Sequence, residues 1–174
     1  FIKKYLNMRN KISNQISNIF KKNFKFQSVY LHEPDLNMSD VKYLKNCIKT
    51  NTVSAAGIFI KKFENEISKL TKSKYVIATN SGTSALHVSC ILMNIKENDE
   101  VIVPTFTFVG TANAVKYCGG IPHFVDIEED HFGINIKKLD HYLKKITLKK
   151  KNICINKLTG RKIKAIIPVH VFGH

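Results

Sequence analysis

Small and hydroxylated residues mark the first place in this sequence where chemistry could occur. Residues 80–84, Asn-Ser-Gly-Thr-Ser, join an apolar run to a segment with helical spacing. The unpaired backbone N–H groups and the positive dipole end of a helix N-terminus attract anions, and Ser and Thr side chains add hydroxyl donors. This junction is therefore a candidate phosphate site. The alternative is that Ser81 or Thr83 serves only as a helix cap.

Two aromatic residues follow the next apolar run, which ends at Pro104. Phe106 and Phe108 would lie at the carboxyl end of a strand, the side on which open α/β sheets bind ligands. One of these rings could stack on a flat cofactor ring. A position in the hydrophobic core is the alternative for either ring.

Metal-binding patterns are weak in this chain. His170 and His174 have the i, i+4 spacing of a helical zinc pair, but the Val-Phe-Gly between them favours a strand that runs into a turn. None of the four cysteines forms a CxxC pair: Cys47, Cys90, Cys118 and Cys154. We therefore predict no metal site. The sequence also lacks GxGxxG, P-loop and GxSxG motifs.

Apolar runs alternate with helix-like segments from residue 75 onward. The apolar runs are short and continuous, which is typical of strands covered on both faces of a parallel sheet. We predict strands at 75–79, 100–104, 122–127, 153–156 and 164–171. We predict helices at 83–94, 107–117 and 136–146, and earlier ones at 58–70 and at 40–49 behind a Ser39/Asp40 cap. This order predicts a three-layer α/β/α fold.

The charge of the chain raises a second functional class. The 28 Lys and Arg residues against 13 Asp and Glu give a net charge of +15, which could indicate nucleic-acid binding. Only Arg9 and Arg161 are arginines, whereas surfaces that read bases favour Arg. The most basic stretch, 137–164, contains Tyr142 as its one aromatic residue. We therefore expect no specific nucleic-acid partner, and a non-catalytic basic binding module is the alternative.

Residues 1–30 are predicted to form a separate amphipathic helical segment. Such a helix could lie on a membrane surface, but packing against the chain's own core or a partner subunit is the commoner use, so we expect no membrane partner. The sequence contains no secretory signal or membrane-spanning run, and we expect a cytoplasmic location. The apolar positions with near-helical spacing are Ile2, Leu6, Ile12, Ile16 and Ile19.

Four segments follow one another in a distinctive order: Asn80–Leu86, Glu100–Pro104 with Thr107–Ala114, Gly120–Asp126, and Pro168–Gly173. Together they resemble the DegT/DnrJ/EryC1/StrS nucleotide-sugar aminotransferases. The resemblance implies pyridoxal 5'-phosphate as cofactor, a homodimer, and the large domain of fold type I, whose sheet is mixed. It identifies residues 31–174 as the N-terminal part of that domain, incomplete at its C-terminal side.

The resemblance also implies roles for particular residues. Gly82, Thr83 and Ser84 would bind the cofactor phosphate, and Phe108 would stack on the pyridine ring. Asp126 would be structural. The catalytic residues stay unknown, because the family's Schiff-base Lys and the Asp that pairs with the pyridinium nitrogen would both lie beyond residue 174.

Three further segments resemble the legionaminic-acid and bacillosamine branch of this family: Leu31–Pro34, Thr52–Ser54 and Cys154–Ile166. That branch implies amino transfer from glutamate to C4 of a nucleotide-linked 4-keto-6-deoxy-N-acetylhexosamine, for surface-glycan biosynthesis. Some relatives carry His in place of the Schiff-base Lys and act as pyridoxamine-phosphate-dependent dehydratases. This alternative stays open, and we expect the 174-residue chain alone to be inactive.

Overall fold

The computed structural model describes residues 2–23, 33–54, 57–151 and 153–173. The chain divides into two compact units, Phe1–Gly57 and Ile58–His174. None of the described helices is long and apolar enough to cross a lipid bilayer.

The described residues of the first unit form two helices, α1 (Ile2–Asn23) and α2 (Met38–Lys49). The N-cap residue of α2 is Asn37 and not the predicted Ser39, whereas the predicted Asp40 takes part in the cap. The side-chain oxygen of Asn37 accepts the Ser39 N–H at 2.9 Å, and Asp40 returns a bond by accepting the Asn37 N–H at 2.8 Å. This reciprocal capping box satisfies two N–H groups at the start of the helix.

In the part of the second unit that the structure describes, there are four helices, five strands and a short 3-10 turn. Its helices are α3 (Ile58–Thr71), α4 (Gly82–Leu92), α5 (Val109–Tyr117) and α6 (Ile136–Ile146), and the turn is Val171–Gly173. Its strands are β1 (Glu100–Pro104), β2 (Ile121–Val125), β3 (Thr147–Lys150), β4 (Ile153–Asn156) and β5 (Ile163–Ile166).

Three of these strands form a parallel sheet in the order β2-β1-β5. Helix α5 connects β1 to β2, which is the βαβ arrangement that parallel neighbours require. The central strand β1 is buried along its whole length, as its continuous apolar sequence predicts.

Both faces of this sheet are covered by helices. On one face, Val101 and Val103 pack with Cys90 of α4 and with Ala114 and Val115 of α5. On the other face, Ile102 packs with Val125, Ile134 and Leu139, the last of which belongs to α6. The alternation of β1 side chains between the two clusters follows from the two-residue period of a strand. The predicted three-layer α/β/α order is confirmed.

Three predicted strands differ from the observed ones. Residues 75–79 form no strand; Tyr75 and Ile77 are exposed, and the Ala78 N–H donates to the Glu64 carboxylate instead of a neighbouring strand. The strand predicted at 164–171 ends at Ile166. Residues 153–156 are a strand but pair antiparallel with β3, outside the three-stranded sheet. Apolar composition identifies strand-like segments, but pairing depends on which neighbour is available.

Candidate functional site

The first part of the candidate site is the N-terminus of α4. Ser81 is its N-cap residue, and the Ser81 Oγ accepts the Ser84 N–H at 3.1 Å. The two hydroxyl oxygens, Ser81 Oγ and Ser84 Oγ, are 3.0 Å apart. Ser81 therefore caps the helix, and the cap interpretation of this residue is confirmed.

The cap leaves other donors at this helix end available. Within the described ranges, the N–H groups of Gly82 and Thr83 have no hydrogen-bond partner. A Cβ atom built on Gly82 would meet nothing within 4 Å, so the space beside this turn is open. Two unpaired N–H donors, the helix dipole and the neighbouring hydroxyls form a site that an anion fits.

The second part of the candidate site is the segment before α5. Phe108 is the N-cap residue of α5, makes no side-chain capping bond and is 76% exposed. Its predecessor Thr107 is fixed, because its hydroxyl donates to the Thr111 hydroxyl at 2.8 Å. The exposed ring offers a flat surface that a planar ligand could cover.

Gly110 brings these two parts together. A Cβ on Gly110 would lie 2.6 Å from Thr83 Oγ1 and 3.1 Å from Cδ1 of the Phe108 ring. The Thr83 hydroxyl and the Phe108 ring therefore both contact the bare backbone of Gly110. Thus the phosphate-type turn and the aromatic ring, which are 25 positions apart in sequence, are close neighbours in the fold.

No separate role for Gly110 was predicted from the sequence. Its signal was available, because Gly within a predicted helix lowers helix stability by about 1 kcal/mol relative to Ala and usually has a packing reason when it occurs. The backbone of Gly110 has no positive φ, so close approach and not chain flexibility explains the glycine.

Asp126 was predicted to lie within the strand at 122–127, but it follows the end of β2 and is exposed. Its carboxylate accepts from Lys138 Nζ at 2.6 Å and from the Ile127 N–H at 3.0 Å. The hydrogen bond from Lys138 lowers the pKa of Asp126, and the Ile127 N–H adds to this effect. Both partners lie at the start of the loop and helix that follow β2, which agrees with a structural role.

His170 lies in a shallow cavity of about 380 Å³, with His131 and Glu128 among its other lining residues. His131 Nε2 is 3.2 Å from Glu128 Oε1. No group of three metal-ligating side chains occurs within the described ranges. His174, the other histidine of the i, i+4 spacing, lies outside them.

A buried carboxylate occupies the opposite end of β1 from Phe108. Glu100 is only 2% exposed and accepts hydrogen bonds from His123 Nδ1 at 2.8 Å and Asn156 Nδ2 at 2.9 Å. The Thr159 hydroxyl donates at 2.5 Å, and Tyr142 is joined to the network through His123 Nε2 at 3.0 Å. Burial alone raises the pKa of Glu100, but these hydrogen bonds and the charge of His123 outweigh it and lower that pKa. This cluster links β1 to β2, to α6 and to the antiparallel hairpin of β3 and β4 with the turn that follows it.

Comparison with known proteins places the chain in a class. The model of the DegT/DnrJ/EryC1/StrS aminotransferase family matches residues 34–174. The chain belongs to this family. A crystal structure of a DegT DnrJ EryC1 StrS aminotransferase from Brucella abortus superposes with a TM-score of 0.64 at 26% identity, over 82% of this chain and 38% of that one.

Two curated relatives carry more specific names. GDP-perosamine synthase of Vibrio cholerae is 36% identical over 143 residues, which are 82% of this chain and 35% of the relative. UDP-N-acetyl-3-dehydro-alpha-D-glucosamine 3-aminotransferase of Acidithiobacillus ferrooxidans is 36% identical over 110 residues, 63% of this chain and 26% of the relative. The chain thus spans about a third of the length of the perosamine synthase that it matches.

Proposed function

We propose that this chain supplies the phosphate- and ring-binding part of a pyridoxal-phosphate-dependent aminotransferase that acts on a nucleotide-linked sugar. The observation that carries the proposal is that the Thr83 hydroxyl and the Phe108 ring both lie close beside Gly110. A phosphate-type helix end and an exposed aromatic ring, held together, match a ligand that has a phosphate and a flat ring. Membership of the aminotransferase family supports the same reading.

The residues present fit the cofactor by their own chemistry. The N–H groups of Gly82 and Thr83 and the hydroxyls of Thr83 and Ser84 would donate to phosphate oxygens. Donation to a charged group contributes about 1.5–3 kcal/mol per hydrogen bond. The exposed face of Phe108 would stack on the ring and contribute about 1 kcal/mol. Together these contacts would fix the ring's position and plane.

Bound pyridoxal phosphate supplies an electron sink for the reacting carbon. The part played by this chain is orientation, because a ring fixed at both its phosphate and its face presents one edge to the substrate. Ser81 keeps the phosphate turn rigid by capping α4, and Gly110 allows Thr83 and Phe108 to approach. The proton-transferring residue is not among those that we assign.

We propose glutamate as the amino donor and C4 of a 4-keto-6-deoxy-N-acetylhexosamine, linked to UDP or GDP, as the acceptor. The segments Leu31–Pro34, Thr52–Ser54 and Cys154–Ile166 support this choice by their resemblance to the branch described above. The names of the relatives support a nucleotide-linked sugar in general and differ in the sugar concerned. A homodimer in the cytoplasm is part of the same proposal.

The test uses the complete reading frame that contains this chain. The protein expressed from it is supplied with nitrogen-15 glutamate and the UDP-linked 4-keto sugar. The position of the label in the reaction product is then determined by NMR. We expect the label on C4. Label on another carbon would overturn the acceptor position, and loss of water without label would favour the dehydratase alternative.

A second test addresses the cofactor contacts in the same protein. Thr83→Val with Ser84→Ala should weaken retention of pyridoxal phosphate, whereas Ser89→Ala should not. Ser89 is the matched control, because its hydroxyl lies on α4 but donates to the Ala85 carbonyl at 2.8 Å. Equal retention by both variants would contradict the assignment of the phosphate site.

A further inference from the structure

Helix α1 lies outside the part of the chain that the family model matches, which begins at residue 34. Its apolar residues Ile12, Ile16 and Ile19 have the i, i+4, i+7 spacing of a single helix face. These three side chains are 47%, 49% and 60% exposed. Ile12, Ile16 and Ile19 thus form an exposed apolar stripe on α1.

The charge of this segment identifies what could cover that face. Residues 1–32 contain seven Lys and Arg residues and no Asp or Glu. The other residues of the chain, 33–174, contain 21 basic against 13 acidic residues and are also net positive. Charge complementarity therefore favours an anionic surface as the partner of α1.

Pairing with a second copy of the helix is disfavoured by the sequence. A coiled-coil seam through Ile12, Ile16 and Ile19 continues at the same heptad spacing to Arg9 and Asn23. Two copies would also bring only positive charges together. Nucleic acid would satisfy the lysines but would leave the isoleucine face without an apolar partner.

We propose that α1 lies on the surface of an anionic lipid membrane and anchors the chain there peripherally. The isoleucine face would enter the boundary between headgroups and acyl chains. Lys11 and Lys22, both exposed and both beside the isoleucine face, would lie towards the lipid phosphates. The inference departs from the sequence expectation of a packed helix, and it stands independently of the aminotransferase proposal.

The test is flotation of the whole 174-residue chain with lipid vesicles. We expect binding to vesicles of phosphatidylcholine with about a third phosphatidylglycerol, and binding about tenfold weaker to phosphatidylcholine alone. Ile16→Ser with Ile19→Ser should reduce binding to the anionic vesicles about tenfold, and so should Lys11→Glu with Lys22→Glu. Binding that ignores lipid charge, or that both double variants retain, would overturn the proposal.

Matched control variants distinguish binding through α1 from binding through the net charge or the surface hydrophobicity of the whole chain. Ile136→Ser removes an isoleucine that is 69% exposed on α6, and Lys149→Glu with Lys150→Glu reverses two charges in the hairpin strand β3. Neither should change flotation by more than about twofold. A loss in the hairpin variant equal to that in the α1 variant would assign the binding to net charge and reject α1 as the anchor.

A fluorescent probe on α1 gives a second measurement of membrane binding, one that does not depend on a loss of binding in a variant. The chain contains no Trp, so Ile19→Trp places a single fluorescent probe on the apolar face. Its emission should shift to shorter wavelength with anionic vesicles only. A shift that appears with rising protein concentration in the absence of lipid would favour self-association, and one produced by an oligonucleotide would favour nucleic acid; either would overturn the proposal.

Discussion

The sharpest prediction concerns two glycines in the first turns of neighbouring helices. In Gly110→Ala the new methyl group would lie 2.6 Å from Thr83 Oγ1, well below the 3.4 Å at which ordinary van der Waals contact begins. In Gly82→Ala the methyl group would meet nothing within 4 Å. The two substitutions thus make the same chemical change and differ only in the space available.

The magnitude follows from two opposing effects. Replacing Gly by Ala in a helix gains up to about 1 kcal/mol from backbone propensity, and both variants receive this gain. Overpacking costs about 1–3 kcal/mol and applies to Gly110→Ala alone, because Thr83 is a short β-branched side chain with few alternatives. We therefore expect Gly82→Ala to be more stable than Gly110→Ala by about 1–3 kcal/mol.

Urea unfolding of the two variants, followed by circular dichroism, measures this difference as a shift in midpoint at constant slope. Equal midpoints would refute the reasoning, since Gly110 would then not be tightly enclosed by Thr83 and Phe108. Gly82→Ala has a second use in the complete protein. Its methyl group would enter the space assigned to the phosphate, so it should weaken cofactor retention while leaving stability intact.

Three other predictions follow from the described contacts. The pKa of Glu100 is lowered from its ordinary value of 4.5, so the ionised carboxylate stabilises the fold above that pH and this stability should be lost as the pH falls below it. Glu100→Gln should remove most of this acid sensitivity and should cost about 3–5 kcal/mol of stability at neutral pH. Urea unfolding at several pH values measures both effects, and an unchanged pH profile in the variant would contradict the network. Ser81→Ala should lower stability by about 1 kcal/mol through loss of the α4 cap, and no change in unfolding midpoint would reject the cap. In the complete protein, Phe108→Ala should weaken cofactor retention while Phe124→Ala, exposed on β2, should not; equal retention by the two would remove Phe108 from the site.

The sequence predicted the central layer of the fold well because burial dictates it. Residues 100–104 read as a continuous apolar run after one acid, and β1 is the strand buried on both faces. Helix α6 occupies the predicted residues 136–146, since its apolar positions and its Asn135 cap both mark its bounds. Local patterns suffice where the burial of an element by itself decides its structure.

The pairing of strands and the approach of residues that are distant in sequence were harder to predict. Residues 75–79 have a strand's composition, yet no described strand lies beside them, so their backbone groups bond elsewhere. The candidate site residues Gly82, Thr83, Ser84 and Phe108 were predicted from the family resemblance, but the approach of Thr83 and Phe108 at Gly110 depends on the packing of α4 against α5. The partners of Glu100 are distant in sequence, and no periodicity connects them.

The wide sequence separation between Glu100 and its partners has a consequence for folding during synthesis on the ribosome. Thr159 follows Glu100 by 59 positions, so at synthesis rates of about 5–20 residues per second a nascent chain waits about 3–12 s for this bond. Until then the carboxylate would be costly to bury, and we expect β1 to stay undocked beside the ribosome. An arrest-peptide series should show folding force only after Thr159 has left the exit tunnel, whereas Glu100→Leu should bring that signal forward. Force from chains that end before β4 would contradict this order.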